Sequence, residues 1–329
     1  MLRVILRGKN FNRRYREKKL VKLTNELENH NGYQFQTRLN IDSIPFNPEG
    51  QCQAGGIYFC EISKLSTWLN YNGDPMINCR LVMIPDDALV SVEEDKFKAD
   101  RMILSEKQKI GDLKEWEDPV YCLEAVKQHG LALQYVKQQT KTICLAAVKH
   151  KGWALEYVKE QTPKVCMEAV RRNGLALQYV KQQTKEICLA AVKQNGMALQ
   201  FVKEQTLELC LEAVKQHSCA LQYVKEQTEE LCLKAVRRNG LALEYVTEQT
   251  EELCCEAVKQ NWWALKYVKE QTPELCLEAV RRNWWALKYV KEQTPEVCLE
   301  AVRRNGRALE YVLEQTPELR LAIIQHTSE

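Results

Sequence analysis

Cysteine recurs at positions 122, 144, 166, 188, 210, 232, 254, 276 and 298, always 22 residues apart. Self-similarity at a short fixed period means a stacked array before any other consideration, because one such unit cannot bury its apolar face alone. Reading from Asp118, nine units run to Gln315, and a tenth starts at Thr316 and stops at Glu329. Ala125, Val126, Ala132, Leu133 and Val136 recur unchanged in all nine, and Tyr135 recurs in every unit but the one holding Phe201.

Each unit carries its own helix punctuation. Thr162, Thr272, Thr294 and Thr316 stand where N-caps belong, each followed by proline, and Asp118-Pro119 opens the array in the same way. Leu275, Cys276, Ala279 and Val280 then fall on one helix face. Arg281-Arg282 and Arg303-Arg304 close that helix at its negative end. Gly130, Gly152, Gly174, Gly196, Gly240 and Gly306 follow as expected left-handed stops. A second short helix carries Ala, Leu, Tyr and Val to the next Thr. The pattern predicts a helix–turn–helix unit of two helices, each about ten residues and too short to be stable alone. Stability then comes from burying Ala, Leu, Cys and Val between neighbours. The expected fold class is mainly α: an α-helical solenoid of 22-residue helix–turn–helix repeats at 118–315, a partial capping repeat and tail at 316–329, and a small α+β domain at 1–117.

Fourteen cysteines would suit a secreted disulfide scaffold, but their placement in a column does not. Packed helices about 8–10 Å apart hold equivalent cysteines beyond the ~7 Å Cα limit for a disulfide. The same spacing spreads the sulfurs too widely for one metal ion. Buried, free thiols in a reducing compartment follow. The 47 Lys and Arg against 44 Asp and Glu leave +3, which gives no overwhelming attraction to nucleic acid or membrane. No apolar run approaches the roughly 18–20 residues that span a bilayer. The start, with Arg3 inside its apolar stretch, does not read as a signal peptide.

Variation between units marks positions that packing leaves open. The turn pair varies most: Gly130-Leu131, Gly152-Trp153, Gly196-Met197, Ser218-Cys219, Trp262-Trp263, Trp284-Trp285 and Gly306-Arg307. Trp263 and Trp285 read either as core anchors in place of Leu or as part of a partner-binding patch with Trp262, Trp284, Arg282 and Arg307. Trp and Arg dominate binding hot spots, which favours weighing the patch. Gln134, Glu156, Lys266 and Lys288 are expected to be exposed and free to vary.

The runs A-V-K-Q-N-G-M-A-L-Q-F-V (Ala191–Val202) and A-V-R-R-N-G-L-A-L-E-Y-V (Ala235–Val246) resemble the tandem repeats of a domain family of unknown function abundant in giant-virus (mimivirus-like) proteins. The resemblance covers 118–329 and implies an α-helical array in an intracellular viral protein, in the host cytoplasm. The stretch Thr24–Leu104 is similar to the leader domain found before repeat arrays in the same viruses. It matches through E-N-H-N-G-Y-Q-F (Glu28–Phe35), L-N-I-D (Leu39–Asp42), G-G-I-Y-F (Gly55–Phe59), I-P-D-D-A (Ile84–Ala88) and K-A-D-R-M-I-L (Lys98–Leu104).

In the N-terminal part, Tyr33–Gln36, Gly56–Phe59, Arg80–Ile84 and Ala88–Val92 read as strands, and Ile62–Tyr71 reads as a helix. Residues 1–22 hold nine basic groups against Glu17 alone. That stretch is weighed as nucleic-acid binding or as self-neutralisation by the acidic remainder of the domain. His30-Asn31-Gly32, with Gly55–Phe59 and Ser63-Lys64-Leu65-Ser66, is similar to ADP-ribosyltransferases of the poly(ADP-ribose) polymerase type. By that resemblance His30 would hold ribose, Tyr58 would stack on nicotinamide and Glu94 would be the carboxylate, although Asn31 interrupts the His-Gly pair. Cys52, Cys60, Cys79 and His30 match zinc-ligand spacing poorly. His129, His150 and His217 read as surface residues. Phosphate-loop, H-E-x-x-H and G-x-S-x-G motifs are absent. The expected function is a non-enzymatic scaffold that binds protein partners along the array, with no cofactor or metal.

Overall fold

The structure, a computed structural model, describes residues 4–30, 33–49, 53–71 and 73–326. The chain packs as two compact units, Met1–Arg172 and Asn173–Glu329.

The first unit begins with thirteen short strands among the described residues: β1 (Val4–Arg7), β2 (Leu20–Thr24), β3 (Asn29–His30), β4 (Tyr33–Gln34), β5 (Arg38–Ile41), β6 (Ile57–Glu61), β7 (Asn70–Tyr71), β8 (Asp74–Pro75), β9 (Asn78–Met83), β10 (Leu89–Val92), β11 (Phe97–Ala99), β12 (Arg101–Leu104) and β13 (Gln108–Lys109). Nine of them form one antiparallel sheet in the order β1-β10-β11-β6-β2-β9-β12-β5, with β13 also on β9. The short helix α1 (Gly8–Arg14) delivers Phe11 to a fully buried position. Its ring meets Phe97 at 5.1 Å and Phe59 at 5.9 Å, and Phe97 and Phe59 face each other across the β11–β6 ladder. This aromatic cluster is the centre of the sheet's core.

The expected strands at Tyr33, Ile57, Arg80 and Leu89 are present with shifted ends. The expected helix Ile62–Tyr71 is instead a 3-10 turn at Ile62–Trp68 running into β7. The strands β2, β11 and β12 escape a period-2 reading because they are buried on both faces or last only three or four residues. Trp116, fully buried, joins the sheet region to the first repeat within this unit. Its ring lies 5.2 Å from Tyr121 and 5.3 Å from Tyr135, and its Nε1 donates to the Ile110 carbonyl at 2.8 Å.

The repeats of the first unit supply α2 (Pro119–Gln128), α3 (Lys141–His150) and α4 (Pro163–Arg172). Those of the second supply α5 (Lys185–Gln194), α6 (Leu207–Gln216), α7 (Glu229–Arg238), α8 (Glu251–Gln260), α9 (Pro273–Arg282), α10 (Pro295–Arg304) and α11 (Pro317–His326). The tail residues 327–329 lie outside the described residues. Within each unit, successive α-helices pack side by side. Thr caps are general and not confined to Thr-Pro pairs: Thr250 Oγ1 accepts from the Leu253 N–H at 3.3 Å, as Thr140, Thr184, Thr206 and Thr228 do one unit at a time.

Two expectations are corrected. The second helix of each repeat is a six-residue 3-10 segment, as at Gly240–Tyr245, because extended residues bound it on both sides: Asn239 (φ −153°) before and Val246 (ψ 122°) after. The repeat glycines are not left-handed stops, since positive φ among the described glycines is confined to Gly55, Gly56 and Gly73. Four of them are required by close approach. A Cβ at Gly130 would sit 2.5 Å from the Ala147 carbonyl oxygen, and Gly174, Gly196 and Gly240 face the carbonyls of Ala191, Ala213 and Ala257 in the same way.

The polar joint between repeats is a glutamine. Gln249 Nε2 donates to the Tyr267 carbonyl at 2.9 Å, and its Oε1 accepts from the Lys269 N–H at 2.9 Å. Gln139 in the first unit and Gln183, Gln205, Gln227, Gln271 and Gln293 in the second bridge forward in the same manner. The column cysteines are buried and free, and from Cys144 onward their thiols also point at this amide, Cys254 Sγ lying 3.6 Å from Gln249 Oε1, whereas Cys122 Sγ reaches the Trp116 carbonyl at 3.3 Å. Burial pushes the Cys254 and Cys276 thiols up to about 11.

Three outcomes follow from this joint. Gly240→Ala destabilises by about 1–3 kcal/mol through overpacking, whereas Gly306→Ala, with nothing within 4 Å of the new methyl, leaves the urea midpoint unchanged or raises it. Gln249→Ala strands a carbonyl and an N–H and costs about 1–3 kcal/mol in the same assay. Because the thiol pKa values rise on folding, the stability they confer is complete below the ordinary thiol value of about 8.5. It is lost as pH climbs toward 11, so the melting temperature falls across that window.

Candidate partner-binding face

The aromatic positions lie in the second unit, where two successive repeats open their 3-10 segments with paired tryptophans. Asn261 Oδ1 accepts from the Trp263 N–H at 3.0 Å, and Asn283 Oδ1 accepts from the Trp285 N–H at 3.0 Å. These short-range caps fix each turn and therefore the direction in which the indoles leave the backbone. Trp262 and Trp263 stack with centroids 5.7 Å apart, and Trp263 continues onto Tyr289 of the next repeat at 6.2 Å. One repeat on, Trp284 and Trp285 meet edge to face at 5.5 Å, and both lean on Tyr311 at 6.3 and 5.9 Å. Each pair is thus held from outside its own repeat.

Burial divides the pairs in the opposite sense to the core-anchor reading. Trp263 and Trp285 remain 46% and 44% exposed, while Trp262 and Trp284 are half-buried. The leucines at the equivalent position, Leu131, Leu175 and Leu241, are themselves only half-buried, so the larger indole leaves more area in solvent. Arg282 forms an ion pair with Glu278 at 2.8 Å along its own helix, and Arg307 is exposed at the position equivalent to Trp263 and Trp285. Gln134, Glu156, Lys266 and Lys288 are exposed.

Other residues of interest are more occupied than their sequence context implies. His150 and His217 are exposed as expected, and their Nδ1 atoms accept from the Gly130 and Gly196 N–H groups, so each also holds the preceding repeat's turn. In the basic stretch, Lys18 pairs with Glu61 at 3.0 Å and Lys19 with Glu115 at 2.6 Å, while Arg13 and Arg14 are exposed at the end of α1. Tyr58 is half-buried with Lys96 and Lys98 near its ring, and Glu94 is exposed in the turn between β10 and β11. The His30 side chain, Asn31, Gly32 and Cys52 lie outside the described residues. Cys60 and Cys79 are buried, each pushed up to about 12 by burial, and among the described residues no cluster could hold a metal ion. No helix among them is long and apolar enough to cross a membrane.

The glutamine joint is the functional element that the helix reading passed over. Its signal was plain: Gln139, Gln161, Gln183 and every later counterpart to Gln315 are the same residue.

Comparison with known proteins agrees with the repeat geometry. The chain is 34% identical over 107 residues to an uncharacterized protein of Acanthamoeba polyphaga mimivirus, covering 31% of this chain and 75% of that one. It is 32% and 33% identical to two putative ankyrin repeat proteins of the same virus, over 112 and 98 residues. Those matches cover 32% and 27% of this chain and 54% and 31% of the relatives. No solved structure matches the chain. A domain of unknown function, DUF4116, matches at residues 121–161, 163–207, 184–228, 206–250, 228–272 and 272–316. More than half of the sequence is built from it, and the chain belongs to the DUF4116 repeat family.

Proposed function

We propose that the chain is a non-enzymatic protein-interaction scaffold, its repeats forming an α-helical solenoid and its main contact lying at Trp263 and Trp285. The observation that carries this reading is the pair of indoles left 46% and 44% exposed on successive repeats, each braced by a tyrosine of the following one. Rigid aromatic groups on a fixed backbone lose little entropy when a partner covers them, which is why Trp leads binding hot spots. The ankyrin-repeat names of two relatives are in keeping with a binding role, since repeat arrays use extended surfaces of this kind. The free, buried thiols suit a reducing compartment inside the cell.

The test is affinity purification from infected cells with wild type and the Trp263→Ser/Trp285→Ser double variant. Both indoles pack on neighbouring rings, so the variant loses about 0.5–1.5 kcal/mol per site, and its melting curve is recorded beside the purification to show that it remains folded. The expected result is loss of at least one specific prey from the variant while Lys266→Ala retains it. An identical prey list for all three proteins would remove the tryptophan face from the function.

A further inference from the structure

Two lysines are buried in the strand-rich part of the first unit, and the fold treats them differently. Lys98 on β11 is fully buried, and its Nζ donates to the carbonyl oxygens of Asn47, Gln53 and Ala54 at 2.8, 2.9 and 3.3 Å. That is the ordinary solution for a buried ammonium, three donors with three acceptors. Lys22 on β2 is 6% exposed, yet among the described residues no oxygen accepts a hydrogen bond from it. Its Nζ lies 4.6 Å from the centre of the Phe35 ring. The residue opposite it on β9 is another cation, Arg80, whose charge is already taken by Glu28 at 2.8 and 2.9 Å.

The Lys22 side chain borders a small pocket walled by Tyr33, Phe35, Ile57, Asp42 and Gln53. Lys98 pins Gln53 and Ala54 in that wall, and Asp42 is occupied by the N–H groups of Ile44 and Gly56 at 2.9 and 2.6 Å. The pocket therefore has braced walls around an amine that meets the Phe35 ring but has no oxygen partner among the described residues. The groups facing that amine are Arg80 from β9, Cys60 from β6, and Asp42, Tyr33 and Tyr58 from the pocket. Burial outweighs the opposing influence of Cys60 and lowers the Lys22 pKa to about 8, so a larger fraction of it is neutral and nucleophilic near physiological pH than of an exposed lysine.

We propose that Lys22 is a carbonyl-capturing amine whose pocket takes a small planar aldehyde as a Schiff base. The amine nitrogen attacks the aldehyde carbon and forms the C–N bond. The carbonyl oxygen then leaves as water with both amine hydrogens, and a C=N bond remains; no oxidant or reductant takes part. The rings of Tyr33 and Phe35 supply an apolar, flat-sided wall for the rest of the ligand.

The experiment treats the full chain with benzaldehyde and sodium cyanoborohydride at pH 7.5 and maps the N-benzyl groups by peptide mass spectrometry. Lys22 is expected to be modified at least tenfold faster than the exposed Lys9, Lys18 and Lys64, and Lys98 to stay unmodified. Above about pH 8 the Lys22 rate levels off while the surface lysines keep climbing. Lys22→Met removes that adduct and no other; should that variant fail to fold, the wild-type ratio of Lys22 to Lys98 and to the surface lysines decides the matter alone. Equal labelling of Lys22 and the surface lysines overturns the proposal. So does benzoate binding, read as a rise in melting temperature, without any imine adduct, which would make the pocket an anion site.

Discussion

A side-chain amide at the end of one repeat holds two backbone groups at the end of the next, and the regularity of the array depends on that bridge. An amide can donate and accept at once, so Gln249 satisfies the Tyr267 carbonyl and the Lys269 N–H together. Those groups bound the stretch after each 3-10 segment, where no helix ladder is available for them. Glutamic acid would lack the donor and leucine would lack both functions. The buried cysteine beneath the bridge adds a weak S–H donor to the same oxygen, which gives the thiol column a polar task beyond filling space. Lysines add an outer set of links, as where Lys225 Nζ reaches the Lys203 carbonyl at 2.8 Å.

With the bridge setting the spacing, the apolar faces can be small. Ala257 and Val258 of α8 and Ala264 and Leu265 of the following 3-10 segment are all completely buried, and the alanines let backbones come close enough that glycine is needed opposite them. A ten-residue helix gains little from its own hydrogen bonds, so nearly all of its stability is borrowed from neighbours within its unit. Trp262 and Trp284 break the glycine rule in two successive repeats, and there the turn exchanges tight contact for aromatic surface.

Much of this was legible in the residues. The period, the helix carrying Leu275, Cys276, Ala279 and Val280, the Thr and Asp caps, and the buried state of the cysteines all follow from spacing alone. The 3-10 segment was not, because Gly-Leu-Ala-Leu-Glu-Tyr has the composition of a helix end, and only its extended neighbours limit it to six residues. The role of glycine was misplaced for a related reason: a sequence shows that a Cβ is unwelcome but not whether torsion or a neighbour excludes it. Trp263 was equally ambiguous, since an indole suits a core as well as a surface. Lys22 carried no signal at all, lying among nine basic residues with nothing to mark that its strand runs through the middle of a sheet.

Because each glutamine grips only main-chain atoms, it is indifferent to which side chains the following module carries. Deleting or duplicating one module of 22 residues would regenerate the same joint at the new seam. An array of this design can lengthen or shorten by recombination between near-identical segments, keeping its fold while altering how many modules it strings together and how many of them carry paired tryptophans.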